Sequence, residues 1–460
     1  MTQLKRVAII GAGPAGLAAA KALKMEKTAF EVVLYDRKKS IGGAWYYDAD
    51  LKKYSYPTVP STDPNGTELY RKTSPSSRIY VSPLYKRMET NLVERLMEFK
   101  DLPIESKEGR FKLRSEIMSY LKKYAETIPG AVDLRLNSSV EEVSKNGSEW
   151  NIVATDLVNN RTTEEKYDFV IVANGHNELP YIPDVPGLRE WSHADPDSVT
   201  HSKYYDVPDM YKGQNILVVG NFASGADLAT QISVVAKNVF VSTTAAPESL
   251  PQSKYEQLHY YTQIERYDVE TRSAITKSGD IIADIDVIVF CTGYLYSLPF
   301  LNKAIPEITN GVYVKDLYRQ IFYTQDPTLA FVGLNKFVAP FPLSESQSAV
   351  IARVFAGRIK LPDSKFMQNC FEAELAGRGS EKQFHNLVNA DFYYCNSLYE
   401  WIVLTETVQD GMLPIFWDKE LIDIRQDAAD VKAVRFEFVK EHAQTLRERG
   451  ETFGFPDTWL

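Results

Sequence analysis

Apolar residues gather along this chain in short runs that end at glycine. Residues 4 to 40 join a β-rich run, LKRVAII, to a glycine turn, a helix-spaced stretch, PAGLAAAKALKM, and a second β-rich run, FEVVLYD. That order predicts strand, turn, helix, strand. It returns in residues 215 to 243, where NILVVG leads through ASGADLATQISVVA to NVFVST. Two more apolar runs, in YDFVIVANGH (167–176) and IDVIVFCTGY (285–294), also feed glycine turns. They read as buried strands that deliver a loop to a ligand at their C-terminal ends, where open α/β sheets bind. The predicted fold class is α/β, with two Rossmann-like dinucleotide-binding units.

Elsewhere the pattern is less regular. Residues 48–84 are rich in Pro, Ser, Thr and Tyr and read as an excursion over the surface. Residues 178–212 connect the VANGH strand to the second unit. From Ser344, a candidate N-cap, SESQSAVIARVFAGRIKL reads as an amphipathic helix, and helical patterning fills about 362–445. No short-period repeat is present, so the two similar units are a duplicated fold element and not a solenoid.

Composition narrows the classes. Of 460 residues, 44% are hydrophobic and 25% charged, as in an ordinary globular enzyme. Formal charge is 52 minus 61, or −9, with no basic block, which excludes a nucleic-acid partner. Cys291, Cys370 and Cys395 form no CxxC, so a disulfide framework, a metal site and a redox dithiol lack support. No run approaches the ~18 apolar residues of a transmembrane segment. MTQLKRVAIIGAG enters a glycine turn instead of a cleavage site, so a cytoplasmic location is expected. Nothing in the pattern reads the oligomeric state, a homodimer included.

The chemistry lies in the turns. In GAGPAG, Gly11 makes the tight turn, Gly13 permits close approach of a diphosphate and Gly16 packs helix on strand. Asp36, twenty residues after Gly16, suits a ribose 2′-hydroxyl and repels a 2′-phosphate. The first turn therefore suits FAD or NAD. The second, GNFASGADLA, keeps Gly220 and Gly225 but has Phe222 where the middle glycine belongs. Its second strand ends in Ser242 and Thr243, whose hydroxyls can donate to a 2′-phosphate, so this turn is read as the NADPH site. Lys237 is a candidate phosphate contact or a solvated helix-end lysine. The Phe222 ring either holds the pyrophosphate off, weakening NADP binding, or packs beneath its domain. Two unlike nucleotide sites describe hydride transfer from nicotinamide to flavin. The missing CxxC argues against a disulfide reductase.

These pieces, with DRKKSIGGAWYY, YKRMETNLVERLMEF, VANGHNELPYIP, FCTGYLYSLPF and DPTLAFVGL in order, resemble the flavin-containing monooxygenases, in particular their soluble fungal branch. The resemblance implies a large FAD domain (1–177 and 300–460, with a helical tail) and a smaller inserted NADPH domain (178–299). It implies that Gly11, Gly13, Pro14, Ala15, Gly16, Asp36 and Arg37 bind FAD, with Gly43, Ala44 and Trp45 on the ribityl side. Thr90 and Asn91 would face the isoalloxazine, with Asn91 the catalytic residue nearest the reacting position. Asn91 could also cap a helix formed by LVERLMEF. Val140 and Gly175 are further cofactor-binding candidates. So are Gly220, Ala223, Ser224, Gly225, Ser242 and Thr243, and the loop of Cys291, Thr292, Gly293 and Tyr294. Residues Ser344 to Gln347 would open a helix aimed at the flavin pyrimidine edge, where Gln347 could hydrogen-bond the ring. His201 and Tyr205 match the downstream half of the family's inter-domain signature. Asp195 and Asp197 replace its upstream half, and Asp206 argues against the Baeyer–Villiger subgroup. Cys291, usually alanine in the family, reads as packing, with no base to activate it.

The implied activity is a monooxygenation. NADPH reduces the flavin, O2 adds to give a C4a-hydroperoxyflavin, and a sulfur or nitrogen nucleophile of a small molecule takes one oxygen atom. The alternatives are an N-hydroxylating or Baeyer–Villiger-type monooxygenase, an NADPH oxidase or flavin reductase releasing hydrogen peroxide, and a silent nucleotide-binding scaffold. Product analysis separates the first two, peroxide stoichiometry the third, and absence of bound flavin the last.

Overall fold

A computed structural model describes residues 4–52, 55–67, 69–70, 80–105, 111–405, 410–456 and 458. In chain order the principal elements begin with β1 (Lys5–Ile10), α1 (Pro14–Lys24), β2 (Phe30–Tyr35), β3 (Glu89–Val93) and α2 (Arg114–Glu126). Next come β4 (Asp133–Arg135), β5 (Ser138–Asn146), β6 (Phe169–Val172), β7 (Asn215–Val219), α3 (Ala223–Ile232) and β8 (Asn238–Ser242). The chain ends with β9 (Val287–Phe290), β10 (Leu329–Phe331), α4 (Pro340–Phe355), α5 (Ser364–Arg378), α6 (Asp391–Thr405) and α7 (Lys419–Glu448). Two compact units result: residues 1–46, 92–176 and 296–429, and residues 47–91, 177–295 and 430–460.

In the first unit, β10, β6, β1, β2 and β4 lie side by side and parallel, extended at the β10 edge by the antiparallel pair Leu317–Tyr318 and Phe322–Tyr323. Val7 and Ile9 of β1 pack with Leu17 and Leu23 of α1 and with Val350 of α4 on one face. Ala8 and Ile10 pack with Trp150 and Tyr167 on the other. Burial on both faces explains why these strands read as unbroken apolar runs.

The second unit repeats the plan. Val199–His201, β9, β7, β8 and Leu258–Tyr261 form a five-stranded parallel sheet. Ile216 and Val218 pack on one face with Leu228 and Ile232 of α3, and Leu217 packs on the other with Trp191 and Ile288.

Residues 47–91 and 430–460 fall in the second compact unit, a division by packing that is separate from the FAD and NADPH boundaries. Several expectations need correction. Residues 48–84 are not wholly superficial. Lys52 is buried and its Nζ donates to the carbonyls of Lys203 (2.8 Å) and Tyr205 (2.7 Å), while Ser61 bridges Ile182. Residues 53–54, 68 and 71–79 of that stretch lie outside the described ones. Helix α4 starts at Pro340, so Ser344 is no cap: its Oγ donates to the Pro340 carbonyl at 2.6 Å. Nor is α4 amphipathic. Its polar residues Glu345, Ser346, Gln347 and Arg353 are as buried as Val350.

Candidate functional site

The two glycine turns have nearly the same backbone. Gly11 and Gly220 sit at φ +110° and +103°, a region that favours glycine. A Cβ at Gly11 would lie 2.4 Å from the Ala173 carbonyl oxygen, and one at Gly220 2.7 Å from that of Cys291. The third glycines match as closely: a Cβ at Gly16 would lie 1.8 Å from the Gly11 oxygen, and one at Gly225 1.9 Å from the Gly220 oxygen. Each turn therefore needs its glycines to seat helix against strand. At the middle position, Gly13 (φ −77°, ψ −174°) and Phe222 (φ −89°, ψ −168°) are both extended N-cap residues. Phe222 is 68% exposed, so the reading in which its ring packs beneath the domain is wrong.

Both turns also fit a diphosphate. Neither α1 nor α3 has a side-chain cap or an acidic residue in its first turn, whereas α5 is capped by Asp363. The uncapped N–H groups and the positive helix end suit an anion. Ala15 follows Pro14 at the start of α1, and Ala223 and Ser224 open α3. At the first turn, Gly42 N–H donates to the Ala12 carbonyl at 2.8 Å, and a Cβ on Gly43 would lie 2.8 Å from the Gly13 Cα. Gly43, Ala44 and Trp45 form a short 3₁₀ turn there, and Trp45 meets Phe341 edge-on at 6.2 Å.

Asp36 directly follows β2 and is buried. Its Oδ2 accepts from Ala12 N–H and its Oδ1 from Lys38 N–H, both at 2.8 Å. A carboxylate has about four acceptor sites, so room remains for a ribose hydroxyl. Lys38, missed in the sequence, also donates from Nζ to the Gly43 carbonyl at 3.0 Å and so joins the strand end to the Gly43 turn. Ser138 N–H donates to the Asp36 carbonyl at 2.9 Å, which brings Val140 of β5 near the same strand end. Arg37 follows Asp36 and is half-buried. Gly175 is exposed at φ +73°, just past β6.

At the second turn the phosphate-binding expectation changes. Ser242 is buried and its hydroxyl donates to the Thr262 carbonyl at 3.0 Å, so its hydrogen is not available to a 2′-phosphate. Thr243 accepts from Ala245 N–H at 3.3 Å and keeps its hydroxyl hydrogen. Lys237 precedes the N-terminal end of β8, the end away from the turn. At about 3.3 Å per residue the strand separates Lys237 from Ser242 by about 16 Å.

The loop after β9 is tied in place. Thr292 Oγ1 donates to the Tyr181 carbonyl, Tyr181 N–H donates to Gly293 O at 2.9 Å, and Tyr294 pairs with Pro180. His201 is fully buried: its Nδ1 accepts from Lys203 N–H (3.1 Å), so Nε2 carries the hydrogen given to Gly293 O (3.0 Å). Burial pushes its pKa down to about 3, leaving the ring neutral. Tyr205 is buried and donates to Gln231 Oε1 at 3.0 Å. Burial pushes the Cys291 thiol up to about 12, as a packed thiol requires.

Two readings of site residues are corrected by their elements. Asn91 lies in strand β3, followed by a 3₁₀ turn, so it caps no helix; Thr90 beside it is buried and Asn91 is exposed. Gln347 is in the second turn of α4 and fully buried, not at the helix start. Its Nε2 donates to Asn335 Oδ1 (2.9 Å) and Tyr394 OH (3.0 Å), and its Oε1 accepts from Gly333 N–H (2.9 Å). Both amide hydrogens are thus engaged.

A flavin-binding monooxygenase-like family model matches residues 67–260 and 255–409, and an NAD(P)-binding Rossmann-like domain model matches residues 9–71. The chain belongs to the flavin-containing monooxygenase family. Thiol-specific monooxygenase of Saccharomyces cerevisiae is 30% identical over 467 residues, covering 98% of each chain. Flavin-containing monooxygenase FMO GS-OX5 of Arabidopsis thaliana is 33% identical over 419 residues, covering 86% of this chain and 84% of its own. The solved structure of S-allyl-L-cysteine S-oxygenase from Allium sativum is 26% identical with a TM-score of 0.78, covering 97% of this chain and 98% of that one. As a flavin-containing monooxygenase the protein is an NADPH-dependent oxidoreductase with FAD and NADPH as cofactors and O2 and a small molecule as substrates. Among the described residues, no helix is long and apolar enough to cross a membrane.

Proposed function

We propose that this flavin-containing monooxygenase acts in the cytoplasm and transfers one oxygen atom of O2 to the sulfur of a small thiol or thioether. The observation that carries the reading is the pair of glycine turns, alike in backbone and unlike in what ends the neighbouring strand. Asp36 at the first accepts a free ribose hydroxyl, and Thr243 at the second can donate to a 2′-phosphate. Support for sulfur comes from the names of two similar proteins, a thiol-specific monooxygenase and an S-oxygenase.

When bound, FAD would supply the redox chemistry of the reaction, hydride acceptance and O2 activation. Gly11, Gly13, Ala15 and Gly16 would hold its diphosphate and Asp36 its ribose, with Gly43 to Trp45 beside them. Gly220, Ala223, Ser224 and Gly225 hold the diphosphate of NADPH. Thr90 and Asn91 serve the reacting edge, where an amide that both donates and accepts can orient nicotinamide and shield a reactive oxygen. No acid–base pair is required of the substrate side, because a soft nucleophile needs only access and exclusion of water. Anaerobic reduction by NADPH, then oxygen with a thiol, a thioether, an amine and a cyclic ketone, tests the reading. An S-oxygenated product is expected. Peroxide equal to the NADPH consumed with every nucleophile would reject it.

A further inference from the structure

The strand that carries Asn91 is held by charges from far along the chain. Glu89 is buried, with a side chain 6% exposed, and faces Arg435 of α7, 5% exposed. Arg435 donates to Glu89 Oε1 from Nη2 at 2.8 Å and from Nε at 3.2 Å. Lys432, one turn earlier on α7, donates from Nζ to Glu89 Oε2 at 3.1 Å and to the Thr90 carbonyl at 2.8 Å. The other end of the segment is tied to α3, the helix of the second turn. The Tyr85 hydroxyl donates to Asp227, and Gln231 Nε2 donates to the Arg87 carbonyl at 2.7 Å. All these residues belong to the second unit.

We propose that Arg435 and Lys432, acting through Glu89 and the Thr90 carbonyl, are positioning residues for Asn91. The proposal rests on the reading of Asn91 given above. A buried carboxylate is costly unless paired, so the two cations leave Glu89 one favourable placement. Asn91 is exposed, and the placement of its neighbours Glu89 and Thr90 sets its own. Held by α3 and α7, residues 85–90 form a strap that leads directly into Asn91 within β3.

The test uses the holoenzyme with Arg435→Gln, Arg435→Lys, Lys432→Met and Asn91→Ala. Two quantities are read: amide hydrogen exchange of residues 86–91, and the fraction of oxidised NADPH recovered as peroxide with saturating thiol. Arg435→Gln should speed exchange about tenfold and raise the peroxide fraction several-fold, with the NADP+ dissociation constant changed less than about twofold. Arg435→Lys should recover most of both, which a loss of general stability would not explain. Should Arg435→Gln not fold, Lys432→Met, at a more exposed site, carries the same expectation. Unchanged exchange, or faster exchange with an unchanged peroxide fraction while Asn91→Ala raises it, overturns the positioning role. A peroxide fraction unchanged in Asn91→Ala overturns the reading of Asn91 and the proposal with it.

Discussion

Phe222 and Gly13 share one backbone conformation, so the phenyl ring and not the chain path distinguishes the two turns. A diphosphate approaching α3 meets a Cβ that is absent at α1. Phe222→Gly should lower the NADP+ dissociation constant, by about 3- to 10-fold if the ring costs ~1 kcal/mol of approach. Glycine is also the better N-cap, so stability should not fall. Fluorescence titration of the purified protein reads the constant directly, and an unchanged or higher value rejects the idea. The strand-end hydroxyls give a second residue-scale prediction. Thr243→Val should weaken NADPH relative to NADH, whereas Ser242→Ala should leave that ratio within about twofold. Ser242→Ala should instead cost stability, about 1 kcal/mol, because the buried Thr262 carbonyl loses its donor. A coenzyme ratio shifted by Ser242→Ala would restore that hydroxyl to the phosphate.

At the scale of elements, each strand–turn–helix unit closes on its third glycine. Gly16→Ala and Gly225→Ala each place a methyl within 2 Å of a carbonyl oxygen, 1.8 and 1.9 Å respectively, which only movement of the helix can relieve. Gly16→Ala should purify without flavin colour. Gly225→Ala should keep the colour and lose NADP+ binding, and retention of both ligands by both variants would refute the assignment of the turns. These units are legible because β1, β6, β7 and β9 are apolar on both faces and lead into a glycine with at most two residues between. Helix α4 departs from its sequence pattern because the polar residues that look like a solvent face are buried. In fact Glu345 accepts from Tyr124 OH (2.8 Å) and Lys100 N–H (2.9 Å), and Arg353 donates to Met412 O (2.6 Å), partners that no local window contains. Strand β3 escaped because LVERLMEF has helical spacing, while the surroundings of Glu89 impose an extended chain. The role expected of Asn91 rests on family likeness and not on its neighbours' chemistry.

For the molecule as a whole, buried neutral histidines set a pH limit. The His201 ring has its pKa depressed to about 3, and burial lowers His385 well below the ordinary histidine value. An unfolded histidine takes a proton near pH 6.5, so below that the unfolded chain binds more protons than the folded one. Stability from these rings is complete above pH 6.5 and falls as pH drops toward the folded values, at about 1.4 kcal/mol per pH unit for each ring. Urea midpoints should be level from pH 8 to 7 and decline between pH 6.5 and 5, before most carboxylates titrate. A level midpoint down to pH 5 would mean the rings find solvent in the folded state.

The ion pair on Glu89 also orders events in time. Its partner Arg435 lies 346 residues further on. At 5–20 residues per second, a ribosome needs about 20–70 s to cover that distance. Throughout that interval the acid has no arginine to receive it, so burial of residues 85–90 must wait while the first glycine turn is already made. A ribosome stalled before residue 432 should therefore carry a chain whose strap is not yet ordered, even where β1, the first glycine turn and α1 have formed.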